Sequence, residues 1–225
     1  MPVSDDAGIE LTGYNWVPDF ARGLVRDLRV RWALEEIGLP YRMRLMHPAE
    51  PKPAEFLQEQ PFGQVPSYNE GDVHLFESGA ILVHVGGKDE RLLPRDPNGR
   101  GRAIGWVFAA LNSVEPILAE YAVLDMFHAG QEWAKLRKPS AEEALRKRLT
   151  QLSDWLNGKD WLEDSFNIGD IAMVSVLRIL RGTDLISDYA NLASYQARAQ
   201  ARPAFGAALE AQMADFTADA PKGWG

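Results

Sequence analysis

Residues 60–81 read Gln-Pro-Phe-Gly-Gln-Val-Pro-Ser-Tyr-Asn-Glu-Gly-Asp-Val-His-Leu-Phe-Glu-Ser-Gly-Ala-Ile, and much of the fold prediction rests on this stretch. Two short segments, Pro66–Asn69 and Val73–Phe76, flank the turn-prone residues 70–72, which predicts a β-hairpin. Ser78 follows at once, and its side-chain oxygen can cap a helix that continues to Val85. A hairpin that leads directly into a helix forms one half of a small α/β domain.

The preceding residues predict the other half of that domain. Ile9–Trp16 begins with alternating apolar side chains and predicts a first strand. Apolar residues at three- and four-residue spacing over Leu24–Ile37 predict an amphipathic helix, which ends at Gly38. Apolar side chains alternate with arginines over Tyr41–Leu45, which predicts a second strand. Residues Ala54–Glu59 predict a short helix. The order of elements up to residue 86 is therefore βαβαββα.

The pattern changes after residue 86. Residues 87–98 are polar and rich in glycine and proline, which predicts a linker. Helical periodicity continues from 99 to 225, with capping boxes predicted at Ser140 and Asn167. The fold class is thus an α+β protein of two domains: a βαβαββα domain over 1–86 and an all-helical domain over 99–225.

Composition and charge exclude several classes of protein. The chain has 225 residues, 24 basic and 32 acidic side chains and a net charge of −8. This balance argues against a nucleic-acid partner. The longest nearly uninterrupted apolar run, Ile171–Leu177, is far shorter than the ~20 residues that span a bilayer. Because acidic residues stand where a signal peptide needs basic ones, we expect a cytoplasmic protein that does not bind membranes.

The absence of cysteine restricts the chemistry further. It excludes a disulfide scaffold, cysteine-ligated zinc and a cysteine nucleophile. Any sulfur redox chemistry must therefore use a thiol that a ligand brings in. The four histidines, at positions 47, 74, 84 and 128, have no spacing typical of metal ligands, so we expect no metal site.

Three segments, Val30–Tyr41, Gln60–Pro66 and Phe76–Ile81, resemble the glutathione S-transferase family in their order and spacing. Phe166–Ile171 and Arg202–Phe205 extend the resemblance into the second half. The resemblance implies a thioredoxin-like first domain, a homodimer and glutathione as co-substrate. It implies an enzyme that activates the glutathione thiol for attack on a small hydrophobic electrophile, with glutathione peroxidase activity as a variant at the same site. The alternative is a non-catalytic glutathione-binding or scaffold protein with the same fold.

The same resemblance implies which residues hold glutathione. Val65 would pair through its main chain with the cysteinyl part of glutathione, beside a cis Pro66. Gln64 would donate to the ligand. Glu77 and Ser78, at the start of a helix, would hold the ammonium and carboxylate of the γ-glutamyl group. The alternatives are structural: Pro66 starts an edge strand, Gln64 is a solvated amide, Ser78 is only a helix cap and Glu77 is only a first-turn acid.

The sequence offers three candidates for the group that stabilises the thiolate. No serine, threonine or cysteine occurs from Gly13 through Glu36, and Tyr14 is the one hydroxyl in that segment. We predict Tyr14 as the donor to the thiolate, with Arg22 and Arg26 as alternatives. A carboxylate such as Asp27 would raise the pKa of the thiol and cannot serve.

Aromatic residues are the candidates for an acceptor pocket between the domains. Trp16, Trp106 and Tyr121 are predicted to line it, with Phe127 and Trp133 as further candidates. Aromatic side chains at helical spacing equally suit a hydrophobic core, and that alternative stands for each of them.

Overall fold

The computed structural model describes residues 3–223. The first two residues of the predicted domain 1–86 and the last two of the domain 99–225 lie outside the described residues. The chain forms two compact units, one of Met1–Asp89 with Arg202–Gly225 and the other of Glu90–Ala201. The strands and helices are β1 (Ile9–Tyr14), α1 (Asp27–Ile37), β2 (Tyr41–Met46), α2 (Ala54–Glu59), β3 (Ser67–Glu70), β4 (Val73–Phe76), α3 (Ser78–Gly86), α4 (Pro97–Phe108), α5 (Glu115–Phe127), α6 (Glu132–Trp155), α7 (Ile168–Leu177), α8 (Ala190–Gln200) and α9 (Pro203–Ala214).

The four strands of the first unit form one mixed sheet in the order β2-β1-β3-β4. β1 runs parallel to β2 and antiparallel to β3, and β3 pairs with β4 as an antiparallel hairpin. The helix between β1 and β2 provides the crossover that a parallel pair requires. This arrangement confirms the predicted fold class and the βαβαββα order.

α1 forms because its apolar residues recur on one face and bury completely. Leu28, Trp32 and Leu34 are each at most 2% exposed, and the helix packs against α3 and α9. It ends at Gly38, whose φ of 69° closes the last turn in the left-handed region. The predicted end of this helix is therefore confirmed, whereas its first residue is Asp27 and not Leu24, because residues 22–26 form turns and a bend after a short 3₁₀ helix over Asp19–Ala21.

The final helix belongs to the first unit. We predicted that residues 99–225 form the helical domain, but of the described residues 202–223 belong to the same compact unit as residues 3–89. Arg202 forms a two-pronged ion pair with Glu36, at 2.6 and 2.7 Å. Gln212 of α9 donates to Asp27 Oδ1 at 2.8 Å. These long-range polar contacts accompany the packing of α9 on α1.

The hairpin is connected to α3 by a polar cluster around Glu70. Tyr68 donates to Glu70 at 2.9 Å, Lys88 donates to it at 2.8 Å, and His84 Nε2 lies 3.2 Å from it. Burial alone would raise the pKa of Glu70, but these three partners outweigh it and lower the pKa to about 2. The carboxylate therefore stays charged over the whole neutral range.

The second unit is built around the buried helix α7. Every residue from Ile168 to Val174 is buried. Asn167 caps the helix by accepting from Gly169 N–H, and the Asp170 side chain returns a bond to Asn167 N–H at 3.0 Å. The predicted capping box at Asn167 is therefore confirmed. The predicted linker 87–98 is not wholly solvent-exposed, since Leu92 and Leu93 are buried.

The helix predicted to open at Ser140 begins earlier. α6 starts at Glu132, and both Pro139 and Ser140 lie inside it. Ser140 Oγ donates to the carbonyl of Arg137 and caps nothing. The capping-box prediction at Ser140 was wrong because the helix begins at Glu132, eight residues earlier, so Ser140 lies inside the helix and not at its N-terminus.

The helical run Pro97–Phe127 contains α4, a π-helical turn over Ala109–Val114 and α5. Its most apolar 18-residue window has a mean hydropathy of 1.4, and 39% of that window is buried in the protein. Length and composition alone would allow this run to cross a bilayer. Leu118 and Leu124 of this run are instead buried in the second unit.

Candidate functional site

The loop that contains Pro66 is attached firmly to the sheet. The Val65–Pro66 peptide bond is cis, and both residues are buried. Directly after it, Ser67 N–H donates to the buried hydroxyl of Thr12 on β1 at 2.6 Å. Within residues 3–223, neither main-chain polar group of Val65 has a hydrogen-bond partner. A donor and an acceptor on a fixed backbone are thus available to an extended ligand.

The strand register brings the two predicted halves of the glutathione site together. Ser67 of β3 pairs with Phe76 of β4, so Gln64–Pro66 and Glu77–Ser78 leave the hairpin at the same end. Gln64 is exposed there. The structure therefore places all five predicted glutathione-binding residues at one edge of the sheet.

Glu77 has an unusual backbone conformation. Its φ is 69° and its ψ is 118°, and Glu77 is the one residue other than glycine within 3–223 with a positive φ. Such a conformation costs about 1–3 kcal/mol and is found mostly at functional positions. Glu77 is exposed, at the N-cap position of α3.

Ser78 begins α3 and is buried with 3% exposure. Its Oγ accepts a hydrogen bond from Nη1 of Arg29 at 3.2 Å. Arg29 lies on α1 and is itself 3% exposed. Sequence reasoning missed Arg29 because its partner is 49 residues away, and no local pattern marks an arginine that faces inward on an otherwise apolar helix face.

Tyr14 is the last residue of β1 and is partly buried. Burial, with a smaller contribution from the Asp27 carboxylate, raises the pKa of its phenol. The hydroxyl therefore stays protonated at neutral pH and can act as a donor, and it has no hydrogen-bond partner among residues 3–223. The ammonium of Lys52 lies 5.4 Å from the centre of its ring.

A buried ion network supports the end of β1. Arg31 donates to Asp27 at 2.7 Å and to Asp215 at 2.5 Å. The position of a Cβ on Gly13 would lie only 3.3 Å from both Arg31 Nη2 and Asp27 Oδ2. The Asp27 carboxylate at the start of α1 is thus buried and paired with Arg31.

The residues after Tyr14 are covered by the C-terminal segment. Ala218 N–H donates to the carbonyl of Asn15 at 3.0 Å, and the Arg22 guanidinium lies 5.8 Å from the Phe216 ring. Asn15 Oδ1 is buried without a partner among the described residues. Arg26 is exposed at the start of α1. Sequence reasoning missed this contribution of the C-terminus, for which no local signal exists.

The predicted acceptor-pocket residues are distributed over the two units. Trp16, in the first unit, is 8% exposed and stacks on His47 with ring centres 6.0 Å apart. In the second unit, Trp106 donates to Glu163 at 2.6 Å and lines a cleft of about 330 Å³ together with Trp155. Tyr121 is 7% exposed and belongs to the core of its unit.

The two further candidates are surface residues of the second unit. Phe127 and Trp133 are 55% and 53% exposed. Among residues 3–223, no group of three or more histidine, aspartate or glutamate side chains is placed to hold a metal ion.

Comparisons with known proteins find relatives of this chain. The family model of the N-terminal domain of glutathione S-transferases matches residues 14–87. Glutathione S-transferase 1 of Zea mays is 32% identical over 168 residues, which cover 71% of this chain and 78% of that relative. The disulfide-bond oxidoreductase YfcG of Escherichia coli (strain K12) is 27% identical over 203 residues, covering 83% and 91%.

A solved structure extends the similarity to the whole fold. The glutathione transferase of Burkholderia graminis, solved with two glutathione molecules bound per subunit, aligns with a TM-score of 0.76 at 27% identity. The alignment covers 90% of this chain and 87% of that one.

Proposed function

This chain belongs to the glutathione S-transferase family, and from that premise we propose that it binds glutathione at the sheet edge around Pro66 and transfers it to hydrophobic electrophiles. The observation that carries the proposal is the unpaired main chain of Val65 beside a buried cis-proline, at the same end of the hairpin as Glu77 and Ser78. The cysteinyl residue would pair with Val65 as an added strand does.

The charged head of glutathione suits the start of α3. A γ-glutamyl group carries an ammonium and a carboxylate on one carbon. The exposed Glu77 carboxylate would accept from the ammonium, while Ser78 and the free N–H groups of α3 would donate to the carboxylate. Gln64 would add a donor from the opposite side of the site.

The role of the protein in the chemical step is to keep the glutathione thiol ionised. A free thiol has a pKa near 8.5, and lowering it by about two units takes ~2.7 kcal/mol of preference for the anion. The free, protonated hydroxyl of Tyr14 supports its assignment as a donor to the sulfur. The thiolate then supplies the electron pair of the new C–S bond, the leaving group departs with the pair of the broken bond, and the thiol proton passes to solvent.

The test combines retention and turnover. The purified chain is applied to immobilised glutathione and assayed with a chloroarene electrophile. We expect both retention and turnover, consistent with a detoxifying transferase. Retention without turnover would instead establish the non-catalytic binding protein, and loss of both would refute glutathione as the ligand. Turnover of an organic hydroperoxide by two glutathione molecules, yielding an alcohol, water and glutathione disulfide, would add peroxidase activity.

Disulfide reduction is a second candidate activity. A similar protein is named a disulfide-bond oxidoreductase, and another binds two glutathione molecules per subunit. Since this chain has no cysteine, both electrons would come from glutathione: two glutathione molecules and one disulfide yield two thiols and glutathione disulfide. Assaying a small dialkyl disulfide beside the chloroarene separates the two activities.

We also propose a homodimer that acts in the cytoplasm. Phe62 is 69% exposed and its ring lies 6.5 Å from that of Phe76, which is 39% exposed. Two exposed aromatic side chains beside the binding loop suit contact with a second copy. Sedimentation velocity should show a dimer for the wild type and a shift toward monomer for Phe62→Ser, whereas an unchanged dimer would exclude this surface.

A further inference from the structure

A buried arginine lies directly behind the proposed site for the γ-glutamyl head. Arg29 and Ser78 are each 3% exposed, and Arg29 Nη1 donates to Ser78 Oγ at 3.2 Å. Arg29 is the third residue of α1, and Ser78 is the first residue of α3. The two helices pack against each other within the first unit, so regular structure holds both partners in place.

This hydrogen bond determines where the Ser78 proton points. A guanidinium only donates, so the serine oxygen must accept and its own proton must turn away from Arg29. A serine inside a helix often donates to the carbonyl four residues earlier. Here that residue is His74, which lies in β4 rather than in a helix. Within residues 3–223, the Ser78 hydroxyl proton has no other acceptor.

We propose that Arg29 is a positioning residue that keeps the Ser78 hydroxyl as a donor to the ligand carboxylate. The inference rests on the proposed function, because the carboxylate is that of the γ-glutamyl group. It also defines a specificity. A donor that cannot reverse its direction favours an anionic acceptor, since a hydrogen bond to a charged oxygen is about twice as strong as one to a neutral oxygen. A ligand with a carboxamide at this position should therefore bind more weakly.

The experiment measures this preference directly. Isothermal titration calorimetry gives the Kd of glutathione and of its analogue in which the γ-glutamyl carboxylate is a carboxamide. The ratio of the two Kd values should be about tenfold or more for the wild type. Arg29→Met should lower the ratio several-fold by weakening glutathione alone, and KM for glutathione should rise while kcat at saturation stays within about twofold.

Further variants exclude a merely structural effect. Ser78→Ala should lower the ratio as Arg29→Met does, and adding Arg29→Met to it should change the ratio no further. If Arg29→Met does not fold, Arg29→Gln takes its place in both backgrounds with the same expectation, because an amide can also accept from Ser78 and so no longer fixes the direction of its proton. Arg178→Met is the matched control, because Arg178 is also buried and also donates to a side-chain oxygen, that of Gln200, in the second unit. The control should leave the ratio unchanged.

The possible failures are distinct. If the wild type binds neither ligand, the proposed function itself fails. If the wild type binds glutathione but Ser78→Ala or the Arg29 variant leaves the ratio unchanged, the positioning role is refuted while the proposed function stands. An equal decrease of the Kd ratio in Arg178→Met would also refute the positioning role of Arg29, since the effect would then follow from the loss of any buried arginine.

Discussion

Replacing Asp170 by alanine should destabilise the second unit severely. The carboxylate is completely buried and accepts three hydrogen bonds. Leu162 N–H and Asn167 N–H donate to it at 3.0 Å each, and the fully buried Tyr195 hydroxyl donates at 2.8 Å. Asp170 thus joins the start of α7 to the loop before it and to α8.

The size of the effect follows from these donors. Alanine leaves all three buried donors without an acceptor, and each such loss costs about 1–3 kcal/mol. We therefore expect a loss of about 3–9 kcal/mol in the free energy of unfolding, a large part of the ~5–15 kcal/mol typical of a protein. Asp170→Asn should lose less, about 1–3 kcal/mol, because burial raises the pKa of Asp170 to about 6 and the amide avoids burying a charge.

Urea unfolding followed by tryptophan fluorescence measures this loss. Trp161 reports locally, since its ring centre lies 6.0 Å from that of Tyr195. Asp164→Ala, in the loop before α7, is the matched control, because Asp164 is exposed and its loss should stay within about 0.5 kcal/mol. A loss below about 1 kcal/mol for Asp170→Ala, or one equal to that of the control, would show that the three hydrogen bonds do not hold the unit together.

Three further predictions concern the first unit. Glu77→Gly should leave the melting temperature unchanged or raise it, since glycine adopts a positive φ without strain, while glutathione binds several-fold more weakly in calorimetry; a lower melting temperature would contradict the strain argument. Tyr14→Phe should raise the pKa of the bound glutathione thiol and lower kcat/KM at least about tenfold. The pKa is measured from the absorbance of the thiolate as a function of pH, and an unchanged pKa would show that Tyr14 does not contact the sulfur. Because the pKa of Glu70 falls from 4.5 to about 2 on folding, its stabilisation is complete above pH ~5 and disappears as pH falls toward 2. The unfolding free energies of wild type and Glu70→Gln should therefore differ by about 2 kcal/mol at neutral pH and converge in acid, and a difference independent of pH would refute this.

Local patterns were reliable where one short segment contains the whole signal. The alternation in Tyr41–Met46 and the left-handed Gly38 needed no distant partner, and neither did the reciprocal bonds of Asn167 and Asp170. The same reasoning failed at Ser140, where a serine and a glutamate three residues apart lie inside a helix that begins at Glu132. Such spacing indicates that a cap can form there, but it does not show that the chain before it is non-helical.

The candidate site divides in the same way. Gln64–Pro66 and Glu77–Ser78 are short motifs on either side of a predicted hairpin, so their meeting at one sheet edge could be anticipated. The roles of Thr12 and Arg29 could not be anticipated, because each forms a hydrogen bond with a residue about 50 positions away: Thr12 with Ser67, and Arg29 with Ser78. Their side chains have no distinctive neighbours along the chain.

What the sequence by itself determined is the order of elements, the resemblance to the family and the motifs proposed to bind a thiol ligand, since periodicity, turn residues and caps act over a few residues. Only the tertiary structure decided that α9 and the C-terminal segment belong to the first unit, that Asp27 is paired with Arg31 and Asp215, and that a buried arginine lies behind Ser78. The physical reason is that a buried charge requires a partner in space, and nothing in the neighbouring residues specifies where along the chain that partner will be found.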